Sequence, residues 1–170
     1  MFKTVFPAFA AVLLLAACSG DSSSSTSGTA GAGAGGAGGA GSRIARPGSQ
    51  EDLVANVGDR VFFDTDRATV AGSSAPARNN TVTLDKQAAW LKQYPQNQIT
   101  VAGNADERGT TEYNLALGQR RAQAAQAYLV ARGVAQSRIN VISYGKERPT
   151  ALGSTPDAWA QNRNAITSVR

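Results

Sequence analysis

In the stretch NADERGTTEYNLALGQRRA, Asn104 to Ala122, Asp106, Glu107 and Arg108 stand in a row before an alanine-rich segment that holds Arg120 and Arg121 side by side. A carboxylate accepts hydrogen bonds from an ammonium, and a guanidinium grips a carboxylate through two parallel N–H donors. Asp106 and Arg121 together therefore complement a ligand end that carries both an ammonium and a carboxylate, as an amino-acid end does. They are equally suited to a structural salt bridge with each other, and residue types alone leave both readings open.

The two arginines separate once the segment is laid out as a helix. With Leu115 at zero and about 100° per residue, Leu117, Tyr128, Ala125 and Leu129 fall at about 200°, 220°, 280° and 320°. Gln119, Gln123 and Gln126 fall at about 40°, 80° and 20°. Arg121, at about 240°, lies inside the apolar arc, and Arg120, at about 140°, lies outside it. A guanidinium turned towards a core must be paired or hydrogen-bonded, because an uncompensated buried charge costs several kcal/mol. Asp106 is the nearest acid by chain position.

Other chemistries find less support. Histidine is absent and Cys18 is the only cysteine, so no nucleophile–base–acid set and no zinc spacing can be assembled. A paired-carboxylate hydrolase using Asp64, Asp66 or Asp106 is the enzymatic alternative. Acids at strand ends are common, however, and no substrate groove is indicated. No catalytic residue, cofactor or metal is expected, and no disulfide can form within the chain.

These residues need elements to hold them. Ser49, with Asp52 three residues on, predicts a short helix over 50–56. VFFDTD (61–66) reads as a strand, and 67–80 as loop. Leu84, Ala88 and Leu91 recur at helical spacing until Pro95. QITVAGN (98–104) is a second strand, 110–132 a long helix stopped by Gly133, and RINVISYG a third strand. A short helix over 157–162 leads into the last strand, AITSVR. Strands alternating with helices predict an α+β fold of βαβαβ type, with helices packed on one face of the sheet.

Ahead of this body lies a different kind of sequence. Lys3, an apolar run of roughly a dozen residues and LAAC form a secretory signal layout, too short for the roughly 20 residues of a spanning helix. The expected divisions are a signal peptide over 1–17, a lipidated Cys18 heading a Ser/Gly/Ala tether over 18–49, and a folded domain over 50–170. The tether includes GAGAGGAGGAG, and about 30 such residues reach about 30 Å. A G-x-G-x-x-G match inside it has no strand before it or helix after it, so no phosphate site is expected. The formal charge of +5 becomes +4 when cleavage removes Lys3. A modest basic excess outside the cytoplasm suits an anionic wall polymer rather than nucleic acid.

VFFDTD, AGNADERGTTEYNLALGQRRAQAAQAYL, SYGKERP and QNR, in that order over roughly 50–170, resemble the peptidoglycan-associated lipoproteins of the Tol-Pal system, within the OmpA C-terminal-like superfamily. LAAC is similar to the bacterial lipobox, and the resemblance implies acylation of Cys18. Ser19 after it implies sorting to the outer membrane, with the domain in the periplasm. It further implies a mixed sheet, non-covalent binding of the diaminopimelate of peptidoglycan, partnership with TolB and other Tol proteins, and a part in envelope integrity and cell division. The family's loop aspartate and helix arginine match Asp106 and Arg121. Its other contacts match Thr65, Asp66, Arg108, Thr110, Asn114 and Leu117, while Thr110 can also cap the helix, Asn114 brace the loop and Leu117 belong to the core. The chain departs from the pattern at Thr65, where phenylalanine is common, at Asn104, where many relatives have histidine, and at Asn164, where they have a second arginine. An OmpA-like lipoprotein of another envelope assembly is the alternative within the family.

Overall fold

A computed structural model of the chain describes residues 45–170. The signal peptide, Cys18 and nearly all of the tether lie outside the described residues. Ser49 caps the first helical turn by accepting a hydrogen bond from the Asp52 amide at 3.3 Å. This turn, α1 (Gln50–Asp52), continues as a π-helical turn, Leu53–Val57. Then come β1 (Arg60–Phe62), α2 (Asn80–Gln93), β2 (Ile99–Asn104), α3 (Thr111–Ala131), β3 (Ile139–Gly145), α4 (Pro156–Asn162) and β4 (Asn164–Val169).

The four strands form one mixed sheet in the order β1-β4-β2-β3. β2 and β3 are parallel, and β4 lies antiparallel between β1 and β2. Side chains alternate across a strand. Ile99 and Val101 of β2 accordingly enter the core with Leu84, Leu91, Ala122, Ala125 and Leu129 of the helices. Thr100, Ala102 and Asn104 turn to the opposite face, where they line an open groove. Each fully buried aliphatic side chain contributes about 1.5–3 kcal/mol. The helical arc read from the sequence is the buried one: Asn114, Leu117, Gly118, Arg121, Ala122, Ala125 and Leu129 are buried, while Arg120 is exposed.

α3 crosses β2 backbone to backbone. A Cβ on Gly103 would collide with the Gly118 carbonyl, and one on Gly118 with Ser143 Oγ and the Gly103 carbonyl. This contact fixes the helix directly over the strand whose end carries Asp106.

The first strand is shorter than its sequence suggests. Phe63 is buried and its amide still donates to the Arg163 carbonyl at 2.8 Å, but pairing ends at Phe62. Asp64 turns its carboxylate to the amides of Ser73 and Ser74 at 2.9 and 3.0 Å. Asp66 then takes a left-handed conformation, φ 56°, that ends the extended run. The residues expected to close the strand instead form a turn at the site described next.

Candidate zwitterion-binding site

β2 delivers the chain to a tight loop. Ala105 donates its amide to the Gly145 carbonyl at 2.7 Å, holding the β2 exit against the β3 exit. Gly109, φ +88°, makes the turn, and Thr110 caps α3 by accepting from the Tyr113 amide at 3.2 Å. The loop is pinned from below by Asn114 Nδ2, which donates to the Arg108 carbonyl at 2.8 Å, and from the side by Lys146 Nζ, which donates to the Gly109 carbonyl at 2.8 Å.

Asp106, only 7% exposed, is the acid at the centre. Arg108 takes it with a fork, Nε to Oδ1 at 3.0 Å and Nη2 to Oδ2 at 2.8 Å, and the Arg108 amide adds a bond to Oδ1 at 3.2 Å. Arg163 approaches from β4's side, with Nη1 at 3.5 Å from Oδ2 and Nε bonded to the Phe63 carbonyl at 3.0 Å. Burial pushes the Asp106 carboxyl up, but the hydrogen bonds and charge of Arg108, with Arg163, outweigh it and hold the group below the ordinary carboxylate range. The Arg108 guanidinium also lies over the Trp159 ring, 4.5 Å from its centroid, and Trp159 Nε1 donates to Glu107 at 2.9 Å.

Thr65, Asp66, Asp106, Arg108, Gly109 and Tyr113 enclose a cleft of ≈ 270 Å³. Tyr113 Oη donates to Asp66 Oδ1 at 3.2 Å, tying α3 to the turn after β1 across the cleft. Beneath it lies Arg121, fully buried, whose Nε, Nη1 and Nη2 donate to the carbonyls of Arg67, Asn104 and Asp64 at 2.9, 2.7 and 3.1 Å. Its guanidinium also sits 5.3 Å from the centroid of the Phe63 ring. Burial, with repulsion from Arg163, pulls Arg121 down to about 10, so it stays charged at neutral pH. Asp64, held by hydrogen bonds from Ser74 and Ser73, is pushed far below the carboxylate range and belongs to the turn.

Of the residues expected at the site, Thr65, Asp66, Asp106 and Arg108 meet around the cleft. Thr110, Asn114 and Leu117 stand behind it as helix cap, loop brace and core. The direct Asp106–Arg121 salt bridge that the sequence left open is not formed. Arg121 satisfies three backbone carbonyls where the turn after β1 meets the end of β2, and Asp106 takes its cations from Arg108 and Arg163 instead. Asn104 lies at the back, 2% exposed, donating to Asn164 Oδ1 at 2.8 Å. Tyr113 and Arg163 were not anticipated. Tyr113 falls on the solvent side of the helical projection, and Arg163 is 57 residues from Asp106. The QNR motif that contains Arg163 was the available signal.

Fold and site define an α+β domain that carries a charged cleft at the exit of its central strand β2. The chain belongs to the OmpA family, whose sequence model matches residues 62–163. It is similar to the peptidoglycan-associated lipoprotein of Rhizobium meliloti, 54% identical over 72% of this chain and 66% of that protein. The same-named protein of Mesorhizobium japonicum is 53% identical over 74% of this chain and 71% of its own length. Among solved structures, the peptidoglycan-associated lipoprotein of Burkholderia pseudomallei superposes with a TM-score of 0.62 at 38% identity, over 70% of this chain and 100% of that one. The C-terminal domain of Helicobacter pylori MotB, at 19% identity and a TM-score of 0.56 over 66% of this chain and 84% of its own, shares the fold.

Proposed function

We propose that the chain is an outer-membrane lipoprotein that binds peptidoglycan non-covalently and tethers the membrane to the wall, without catalysis. Acyl chains on Cys18 hold the membrane, the Gly/Ala tether spans the gap, and the folded domain takes the diaminopimelate end of a stem peptide. TolB and other Tol proteins are its partners, in support of envelope integrity and cell division. The observation that carries this reading is the buried Asp106 carboxylate at the edge of the cleft, held by two arginines. An incoming ammonium exchanges with Arg108 at Asp106, which frees the Arg108 fork for the ligand carboxylate. Arg121, fully buried and bonded to the carbonyls of Arg67, Asn104 and Asp64, holds the β2 exit and the turn after β1 in place around the cleft. The names of the relatives support the wall as the source of that ligand. Single contacts can be weak, because many tethered copies at high local concentration hold collectively.

The test is sedimentation of the chain with purified sacculi. The wild type co-sediments without releasing soluble wall fragments, and Asp106→Ala stays in the supernatant. Release of fragments would replace the tether with a hydrolase, and unimpaired binding by a folded Asp106→Ala would remove the site. Co-purification with TolB separates this reading from membership of another envelope assembly.

A further inference from the structure

The helix-free face of the sheet carries a second feature that the cleft does not account for. Register places Thr100 beside Asn140 and Ser168, and Ala102 beside Ile142 and Ile166, so that polar and apolar rows run across three strands. These rows floor a groove of ≈ 510 Å³, larger than the Asp106 cleft, bounded by Tyr144, Arg148 and Arg170 and lined by no acidic side chain. Arg60, in register with Ile166, is already paired with Asp59 at 3.7 Å and stands outside the groove, which leaves Arg148 and Arg170 as its cations. Among the described residues, neither Arg148 nor Arg170 forms an ion pair or a side-chain hydrogen bond. That sets them apart from Arg108, Arg121 and Arg163, whose guanidinium groups are committed to protein oxygens. Arg148 is also pre-positioned, with its guanidinium 3.9 Å from the centroid of the Tyr144 ring, so less freedom is lost when it binds.

We propose that this groove is a second wall-binding subsite, which takes a carboxylate-bearing stem-peptide arm of the same polymer. The inference rests on the wall-binding reading of the cleft. Uncommitted guanidinium forks match carboxylates bidentately. The Thr100–Asn140–Ser168 row matches the amides of an extended peptide, and the Ile142–Ile166 floor matches small methyl side chains. Continuity with the first site singles out the wall: Asn104 lines the groove and precedes Asp106 by two residues. The four residues from Asn104 back to Thr100 span about 13 Å at about 3.3 Å per residue. A polymer gripped at Asp106 thus presents its next arm to the groove without a second diffusional encounter, and the gain is one of avidity.

The experiment uses the full chain in detergent, with the double variant Arg148→Gln/Arg170→Gln beside the wild type and Asp106→Asn. The probes are intact sacculi, a monomeric muropeptide with one stem peptide, and vesicles containing phosphatidylglycerol. The double variant is expected to bind sacculi about tenfold more weakly at low salt, with the difference shrinking at high salt, and to bind the muropeptide like the wild type. Asp106→Asn is expected to lose both. Sacculus binding by the double variant equal to wild type overturns the second subsite and leaves the cleft intact. A deficit confined to the vesicles also overturns it, making the face a lipid contact. Failure of the wild type to bind either wall probe overturns the cleft reading and the groove with it. Arg148→Lys/Arg170→Lys, which keeps charge but removes the fork, is expected to recover part of the affinity and guards against a misfolded double variant.

Discussion

Two aspartates of this domain are almost equally buried, Asp52 at 8% exposed and Asp106 at 7%, and their surroundings differ in kind. Asp52 accepts from Trp90 Nε1 at 2.8 Å, Asn56 Nδ2 at 2.7 Å and the Gly48 amide at 2.8 Å, all neutral donors. They knit the first helical turn to α2. Asp106 is held by the cations of Arg108 and Arg163, and Arg108 is half-exposed at the rim of a cleft. A carboxylate locked by packed neutral donors has nothing to exchange. One held by a half-exposed guanidinium can trade it for another cation. Burial alone therefore does not mark a binding acid; the charge and freedom of its partners do. The arginines repeat the contrast, with Arg121 fixed by three carbonyls and Arg108 by a carboxylate it can leave.

The largest effect belongs to Arg121. Arg121→Ala removes the donors to the carbonyls of Asp64, Arg67 and Asn104 and leaves a void where a fully buried side chain stood. A loss of about 3–5 kcal/mol is expected by urea denaturation, with wall binding falling alongside it. A variant as stable as the wild type would place Arg121 with the exchangeable arginines.

The aspartates are compared most directly by the same isosteric change at each. Asp106→Asn should weaken sacculus binding by about thirtyfold or more, in line with about 2–5 kcal/mol for a close charge pair at an interface. Asp52→Asn should lower the melting temperature and leave the binding isotherm where it was. Binding lost equally in both would show that the cleft responds to global stability rather than to the charge at Asp106.

Acid is the next, milder lever. Because the folded domain lowers the Asp106 pKa, the ionised form is favoured in the native state. Its contribution is complete above the unfolded value of about 3.9 and disappears as pH falls through the depressed native value. The part of sacculus binding owed to Asp106 should be flat from pH 7 down to the unfolded value of about 3.9 and decline only below it. Asp106→Asn should lack the part of that decline owed to Asp106, which separates it from titration of the wall's own carboxylates.

Much of this was legible in the sequence because it is periodic or local. The buried arc of α3 follows from one 100° projection, and Thr110 caps the helix where its type and position say it should. Asp106 was named from its chemistry and chain position, Thr65, Asp66 and Arg108 from the family resemblance, and the four meet at one cleft. What the sequence did not disclose depends on chain crossings. Arg163 reaches Asp106 only because β4 inserts between β1 and β2. Arg121 prefers carbonyls to the nearby acid because the turn after β1 and the end of β2 meet beside it, a convergence without periodic signature. The early end of β1 has the same origin, since Asp64 is drawn from the strand by serine amides nine and ten residues later.

The smallest expected effect is the sharpest test of that projection. Arg120 and Arg121 are chain neighbours with identical chemistry, and one step of about 100° puts Arg120 in solvent and Arg121 fully out of it. Arg120→Ala should change stability by no more than about 0.5 kcal/mol and leave sacculus affinity within about twofold of wild type. It removes the same positive charge as Arg121→Ala, so any long-range electrostatic account of wall binding predicts similar losses for the two. A normal Arg120→Ala beside a crippled Arg121→Ala would assign the difference to what each guanidinium touches rather than to the net charge of the domain.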